Sequence, residues 1–348
     1  MAARGRPGGR RNAITIADLG EFGLIAAIAE RLPGGPDLLL GPGDDAAVVK
    51  APGGRVVATT DMLIEGRHFR REWSSACDIG RKAAARNLAD IAAMGARPTA
   101  LLVAFAGPAD LEVSWVLDLV TGIARECAAA GASVAGGDTS GADTVMLAVT
   151  ALGDLADREP VTRAGARPGD AVAVAGTLGA AAAGLALLTA GWRPRSADPA
   201  ESAALAGLVM AHRRPSPPYR AGPQAALLGA TSMIDVSDGL IADLGHVAEA
   251  SGVRVELRSD LLAAEPPVPV GALRAAATWL AGAGAEPAPA WLGWVLTGGD
   301  DHALAATFPA DIALPADWTV VGKIAEGRDV QIDGRRWKER AGWEHFRA

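Results

Sequence analysis

Apolar, strand-like stretches of this chain repeatedly run into turns that carry Asp and Gly, and a chain punctuated in this way is strongly constrained in its fold. The pattern occurs in "LLLGPGDDAAVV" (38–49), "GRVVATTDMLIEGRHF" (54–69), "ASVAGGDTS" (132–140), "TSMIDVSDGL" (231–240) and "WLGWVLTGGDDHAL" (291–304). Each reads as a strand that stops at an acidic turn, with Thr59, Thr60 and Asp61 expected at the end of the second. Between them, "DIGRKAAARNLADIAAMGA" (78–96) has helical periodicity and a stop at Gly95, with Arg86 and Asp90 spaced i,i+4 as partners on one face. After Asp235 an amphipathic helix is expected to run to Gly252, with Ser237 or Asp238 as its N-cap. Strands alternating with helices predict an α/β architecture, in which carboxylates from several strand ends meet.

A lone Asp in a turn is ordinary, because its side chain bonds nearby backbone N–H groups. The set is different. Asp44 and Asp45 are adjacent anions that repel, an arrangement that calls for water or for a cation that profits from both. Hard oxygen donors without a matching Cys or His cluster select magnesium over zinc, and magnesium usually shares its shell with substrate phosphates. An acidic, glycine-lined pocket therefore points to nucleotide chemistry.

Composition limits the organisation. At 348 residues and 50% hydrophobic, the chain is long enough for two domains. The polar, turn-rich "GDLADREPVTRAGARPGD" (153–170) marks the division. The expected units are a basic tail over 1–15, an N-terminal domain over 16–155 and a C-terminal domain over 161–348. Abundant Gly (43 residues) and few aromatics (4%) suggest closely packed helices. A net charge of −7 argues against a general nucleic-acid binder, and no apolar run reaches the roughly 18 residues of a membrane span. A cytoplasmic protein with two buried thiols, Cys77 and Cys127, is the expectation.

Several nucleotide chemistries are excluded. There is no GxxxxGK[ST], no protein-kinase layout, and only four lysines, at 50, 82, 323 and 338. The glycines of "DAVAVAGTLGAAAAGLALL" (170–188) form a strand, a turn and a helix but not GxGxxG, which argues against a dinucleotide fold. A phosphoryl-transfer enzyme built here would depend on metal ions and backbone N–H groups to neutralise charge.

Taken in order, "GEFGLIAAIAERL" (20–32), "GPGDDAAVV" (41–49), "TTDMLIEGRHF" (59–69), "KAAARNLADIAAMGARP" (82–98), "GGDTS" (136–140), "TRAGARPGD" (162–170), "IDVSDGLIADLGH" (234–246) and "GWEHF" (342–346) resemble the thiamine-monophosphate kinase family, from about Leu19 to Phe346. That family belongs to the aminoimidazole ribonucleotide synthetase-like superfamily. The resemblance implies a two-domain PurM-like α/β (α+β) fold in which N-terminal strands of two subunits join across a homodimer into a sheet or barrel. It implies ATP-dependent phosphorylation of thiamine monophosphate to thiamine diphosphate by direct in-line transfer with several Mg²⁺ ions.

The resemblance also implies roles. Asp45, Thr59, Thr60, Asp61, Asp90, Asp138, Asp235 and Asp238 match magnesium-binding positions, and Asp45, Asp61, Asp90, Asp138 and Asp235 form the expected catalytic set. Gly137, Asp138, Arg163 and Ser237 match ATP contacts; His68 and Trp343 match positions that hold thiamine phosphate. Many relatives carry Gly-Gly-Glu-Asp-Tyr where this chain has Gly-Gly-Asp-Asp-His (298–302), so the resemblance implies that Asp300 takes the place of a substrate-contacting Glu with a shorter arm. On spacing alone His68 reads first as a satisfied histidine beside Phe69, an order that the family motif reverses, and Arg86 reads as a partner of Asp90. Alternatives are another ATP-using enzyme of the superfamily or a non-catalytic Mg-nucleotide-binding protein. The absence of an early reactive Cys disfavours selenophosphate synthetase, and the ending "EHFRA" lacks the terminal Cys of the hydrogenase-maturation relative.

Overall fold

The computed structural model describes residues 13–42, 46–194, 199–263, 267–284, 291–337 and 342. The first half contains α1 (Ile16–Ala29), β1 (Leu38–Leu40), β2 (Val48–Val49), β3 (Val57–Ile64), α2 (Ala76–Ala93), β4 (Arg97–Gly107), α3 (Val113–Ala130), β5 (Ser133–Gly141) and β6 (Met146–Asp154). Residues 155–170 contain no helix or strand. Beyond them come β7 (Ala171–Ala175), α4 (Ala180–Thr189), α5 (Pro199–Arg213), α6 (Ala221–Leu227), β8 (Ser232–Val236), α7 (Leu240–Ser251) and β9 (Val253–Leu257). The chain continues with α8 (Ser259–Leu262), α9 (Val270–Gly282), α10 (Trp291–Thr297), β10 (Ala303–Phe308), β11 (Thr319–Glu326), β12 (Val330–Ile332) and β13 (Arg335–Arg336).

Two sheets organise these elements. The first has the order β3-β6-β4-β5, antiparallel except for the β4–β5 pair; the second has the order β13-β12-β9-β11-β7-β10-β8. One face of the first sheet is closed by α2 and α3, whose apolar faces share a core with Leu63, Leu101, Leu147 and Val149. The two helices cross backbone to backbone: a Cβ at Gly80 would lie 2.0 Å from the Leu119 carbonyl oxygen, and one at Gly122 would lie 2.1 Å from that of Cys77. This is the close packing that the small-residue composition implies. Cys127 is buried within that core, whereas Cys77 is only partly covered.

Helix α2 also reaches the second sheet. Ala92 and Ala93 near its end pack with Met233 of β8 and with Leu304 and Ala306 of β10. The opposite face of the second sheet carries the larger core, with Val236, Leu244, Leu187, Leu208 and Val295 from helices α4, α5, α7 and α10 and from β8. Along β8 the side chains alternate, so Asp235 shares Met233's side and is directed toward α2.

Four sequence expectations need correction. Gly136, Gly137 and Asp138 lie within β5, which stays paired with β4 as far as Gly141, and not in a turn after it. Thr59, Thr60 and Asp61 lie within β3, which stays paired with β6 as far as Ile64, and not at its end. "WLGWVLT" is helix α10, not a strand; a seven-residue apolar run fits either element, and here burial of Val295 and Leu296 against helices decides. The N-cap of α7 is Gly239, with no side-chain cap of its own; Asp243, one turn into the helix, reaches back to accept from the backbone N–H groups of Asp238 (3.1 Å) and Gly239 (3.0 Å).

Candidate active site

Residues directly opposite one another in paired strands share a face, so the register of the first sheet sorts the predicted site residues. Asp61 is opposite Val149, which is opposite Val103, which is opposite Gly137. This row, with Thr59, belongs to the side covered by α2 and α3. Thr60 lies in the row of Thr150, Leu102 and Gly136, and Asp138 in the row of Met62, Ala148 and Ala104. Thr60 and Asp138 therefore occupy the other face, which is not covered by α2 and α3 and carries exposed Met62 (53%) and Leu102. Asp138 and Gly136 line a cavity of about 1040 Å³ that wraps the β5 edge of the sheet, together with Phe22 and Ile25 of α1 and Val116 and Ile123 of α3.

On the covered side, four predicted residues meet. Thr59 Oγ1 donates to Asp90 Oδ2 at 2.8 Å. Asp90 comes from α2, Asp61 from β3, and Asp235 from β8 of the second sheet. Burial, then the negative charge of Asp235, pushes the Asp90 carboxyl up to about 7. The donor set is oxygen only, and its members repel one another, which is the chemistry that a hard divalent cation relieves. Among the described residues no three His, Cys, Asp or Glu side chains are grouped closely enough to hold an ion as they stand. A guanidinium stands among them instead. Arg86 does not take Asp90 as its partner; Nε and Nη2 each lie 3.3 Å from Asp61 Oδ2, and Nη1 lies 2.9 Å from Asp300 Oδ1. The intrahelical i,i+4 partner loses to two carboxylates from other elements.

Asp300 is the hub of a second group. Lys82 Nζ, only 2% exposed, donates to Asp300 Oδ2 at 2.9 Å and to the His212 carbonyl at 3.1 Å. Burial works to raise the Asp300 pKa, but Lys82 and Arg86 outweigh it and hold the carboxyl well below the usual range. The turn itself is unusual. Asp300 (φ +65°) and His302 (φ +53°) adopt left-handed backbone conformations without being glycine, a cost of about 1 kcal/mol or more each. It is held by Asp300 N–H on the Ser237 carbonyl, by His302 N–H on that of Val236, and by the Asp301 carboxylate. Asp301 accepts from the N–H groups of Gly179 (2.5 Å) and Ala181 (2.8 Å), so the N-terminus of α4 is filled by this chain's own carboxylate. The glycine turn before α4 therefore has no room for a dinucleotide phosphate. His302 Nδ1 pairs with Asp235 Oδ2 at 3.2 Å.

The remaining predicted residues are dispersed. Gly137 is exposed on β5, where a Cβ would lie 1.9 Å from the Val103 carbonyl oxygen and close strand approach demands glycine. Arg163 is exposed in 155–170, while Ser237 and Asp238 are half-buried in the turn after β8. His68 is half-buried beyond β3, its Nδ1 accepting from the Ile64 N–H at 3.0 Å. Asp44, Asp45 and Trp343 lie outside the described residues. Sequence reasoning passed over Lys82, Asp301 and His302, and misassigned Arg86. A cue existed: Lys82, Arg86 and Asp90 recur every four residues as a charged stripe on a helix that is otherwise rich in Ala.

Two further buried carboxyls join Asp90 in setting a pH dependence. Burial pushes Asp301 up to about 7, and burial together with Asp235 and Asp238 pushes Asp243 up to about 8, each from an ordinary 3.8. Between those limits the folded chain binds protons that the unfolded chain has released, so stability falls as pH rises. The Tm of the divalent-free protein is expected to drop between pH 5 and pH 8.5, and Asp301→Asn should flatten that slope. A thermal melt series at constant ionic strength checks this; a Tm that rises over the range would contradict it.

Residues 43–155 match the family AIR synthase related protein, N-terminal domain. The chain is 46% identical over 333 residues to thiamine-monophosphate kinase of Mycobacterium tuberculosis, covering 95% of this chain and 93% of that protein. Its fold matches the crystal structure of thiamine-monophosphate kinase from Stenotrophomonas maltophilia K279a with a TM-score of 0.76 at 34% identity, covering 90% of this chain and 96% of that one. It also matches the complex of AaThiL with AMPPCP and TMP, with a TM-score of 0.73 at 33% identity over 94% and 98% of the two chains. Together with the mixed α/β, two-sheet architecture and the acidic meeting point of α2, β3 and β8, these similarities place the chain in the thiamine-monophosphate kinase family.

Proposed function

We propose that this protein transfers the γ-phosphoryl group of ATP to thiamine monophosphate, giving ADP and thiamine diphosphate. The observation that carries this reading is the meeting of Asp61 and Asp90 from one sheet layer with Asp235 from the other, on a chain whose relatives over nearly its full length are thiamine-monophosphate kinases. A relative's complex with an ATP analogue and TMP supports the two substrates.

Magnesium fits the donor chemistry. Thr59, Asp61, Asp90, Asp235 and Asp238 are the described residues that would hold it on the covered side, and Asp45, outside the described residues, keeps the metal-binding role that the family resemblance implies. Bound magnesium would neutralise phosphate charge during transfer. The chain's own part is to align. Thr59 orients Asp90, His302 orients Asp235, and Asp300 of the turn 298–302 ties the second sheet to α2 through Lys82 and Arg86. None of these residues is an activated nucleophile, so the reading is direct in-line transfer between the two phosphates. Gly137, Asp138, Arg163 and Ser237 are assigned to ATP, and His68 and Trp343 to the acceptor. Asp300, committed to Lys82 and Arg86, acts on the substrate through Arg86.

Thr60 and Asp138 on the uncovered face point to a second copy of the chain. We infer a homodimer in which that face, with Met62, Leu102 and the 82%-exposed Phe22, is covered by its counterpart. No helix among the described residues is long and apolar enough to cross a membrane, and we assign the protein to the cytoplasm. A coupled assay for ADP formation, run with and without thiamine monophosphate, tests the function. ADP is expected only when the acceptor and magnesium are both present; ADP release that ignores the acceptor would contradict the reading.

A further inference from the structure

Arg86 is held unequally. Its Nη1 bond to Asp300 is a normal 2.9 Å, whereas Nε and Nη2 share one oxygen of Asp61 at 3.3 Å, beyond the usual N–H···O range. The anchor is firm because Asp300 is itself pinned by the buried Lys82 and by its backbone N–H on Ser237. The loose partner is not pinned in this way. Asp61 has a side chain that is 38% exposed, against 13% for Arg86, so the guanidinium lies deeper than the carboxylate it faces. A guanidinium carries five N–H donors in a rigid fork, suited to phosphate as well as to carboxylate. A fixed cation set among groups that suit a metal either screens them permanently or exchanges partners.

We propose that Arg86 is an exchangeable phosphate clamp: it neutralises Asp61 in the metal-free protein, lets go of Asp61 when that carboxylate ligates magnesium, and, still anchored on Asp300, turns the freed N–H groups to a phosphate oxygen of the bound substrate. The inference rests on the phosphoryl-transfer reading of the site. The phosphate belongs either to ATP or to the acceptor, and the two are separated by measurement. The Asp300 anchor keeps the guanidinium at the junction of the two sheets, so Arg86 serves both as counter-charge and as ligand without a large movement of the chain.

The test uses Arg86→Gln, which keeps a hydrogen bond available to Asp300 without the charge, and Arg86→Lys, which keeps the charge without the fork. Three quantities are measured on the full chain: binding of Mn²⁺ alone, followed by the electron paramagnetic resonance signal of the free ion; thermal unfolding in chelator; and separate KM values for ATP and thiamine monophosphate. For Arg86→Gln, Mn²⁺ is expected to bind severalfold more tightly, because a competing cation has gone. One of the two KM values should rise about tenfold or more, the loss of a charge-assisted hydrogen bond to phosphate. The Lys variant should fall between Gln and wild type in both readouts. The substrate whose KM moves is the one whose phosphate is clamped. Weaker Mn²⁺ binding would make Arg86 a fixed support for Asp61 and overturn the exchange, and so would two unchanged KM values. If Arg86→Gln melts near ambient temperature, the Lys variant decides by the same criteria. Should the wild type fail to phosphorylate thiamine monophosphate at all, the function proposed above falls, while the Mn²⁺ titration still reports whether Arg86 competes for Asp61.

Discussion

Asp90→Asn is expected to lower turnover by at least about 100-fold while leaving the metal-free protein as stable as wild type or more so. The substitution keeps the shape of the side chain, and Thr59 Oγ1 can still donate to the amide oxygen where it now meets Asp90 Oδ2. What is lost is a negative charge that burial and Asp235 already disfavour, as the rise to about 7 shows. The same charge that is costly beside Asp235 is the one a divalent cation would use. Stability and activity therefore move apart, which a merely structural aspartate would not produce. Turnover by ADP release and thermal unfolding in chelator, measured on one preparation, check the pair of effects. Normal turnover, or a large fall in Tm that accounts for the lost activity, would contradict the assignment.

Lys82→Met should have the largest effect on stability. The ammonium group is buried with two partners, Asp300 Oδ2 and the His212 carbonyl, and both lie on the far side of the junction from α2. Methionine retains the apolar stem but leaves the carbonyl without its donor and Asp300 with Arg86 alone. Breaking one side of a buried ion pair typically costs about 3–5 kcal/mol, and the surviving Arg86 contact places this case near 3 kcal/mol. A Tm drop of about 4 °C follows for a chain of this size. In a Lys82→Met/Asp300→Asn double mutant the loss should be smaller than the sum of the two single losses, since both substitutions break the same ion pair, and Asn tolerates the left-handed backbone at 300. A double mutant whose loss is the plain sum of the two single losses would show that the pair is not the tether described.

Much of the fold could be read from the sequence where local chemistry decides. The strand ending near Asp235, the helix closed by Gly252 and the helix stopping before Gly95 all follow from periodicity and glycine placement, and all are present. Seven apolar residues at 291–297 could not be assigned from local pattern, because a buried helix turn and a buried strand are equally hydrophobic. The meeting of Asp61, Asp90 and Asp235 was suggested by shared residue type; their position on one side of the sheet was not, because side-chain alternation separates Thr60 from Asp61 without saying which side faces α2. Arg86 illustrates the same limit. Its nearest partner along the helix is Asp90, yet its contacts come from Asp61, 25 residues away, and Asp300, 214 residues away. Asp300 reads as a shortened substrate arm in the sequence, and only its ion pairs with Lys82 and Arg86 reveal it as the joint between the two sheets.

The most direct measurement is a single turnover with ATP labelled in the γ-phosphoryl group, mixed with excess protein and thiamine monophosphate and quenched over milliseconds to seconds. The account predicts that label passes from ATP to thiamine diphosphate in the presence of magnesium, with no labelled protein at any time and no transfer in excess chelator. Label that appears first on a protein side chain and then chases into product, or full transfer in the presence of chelator, would contradict it.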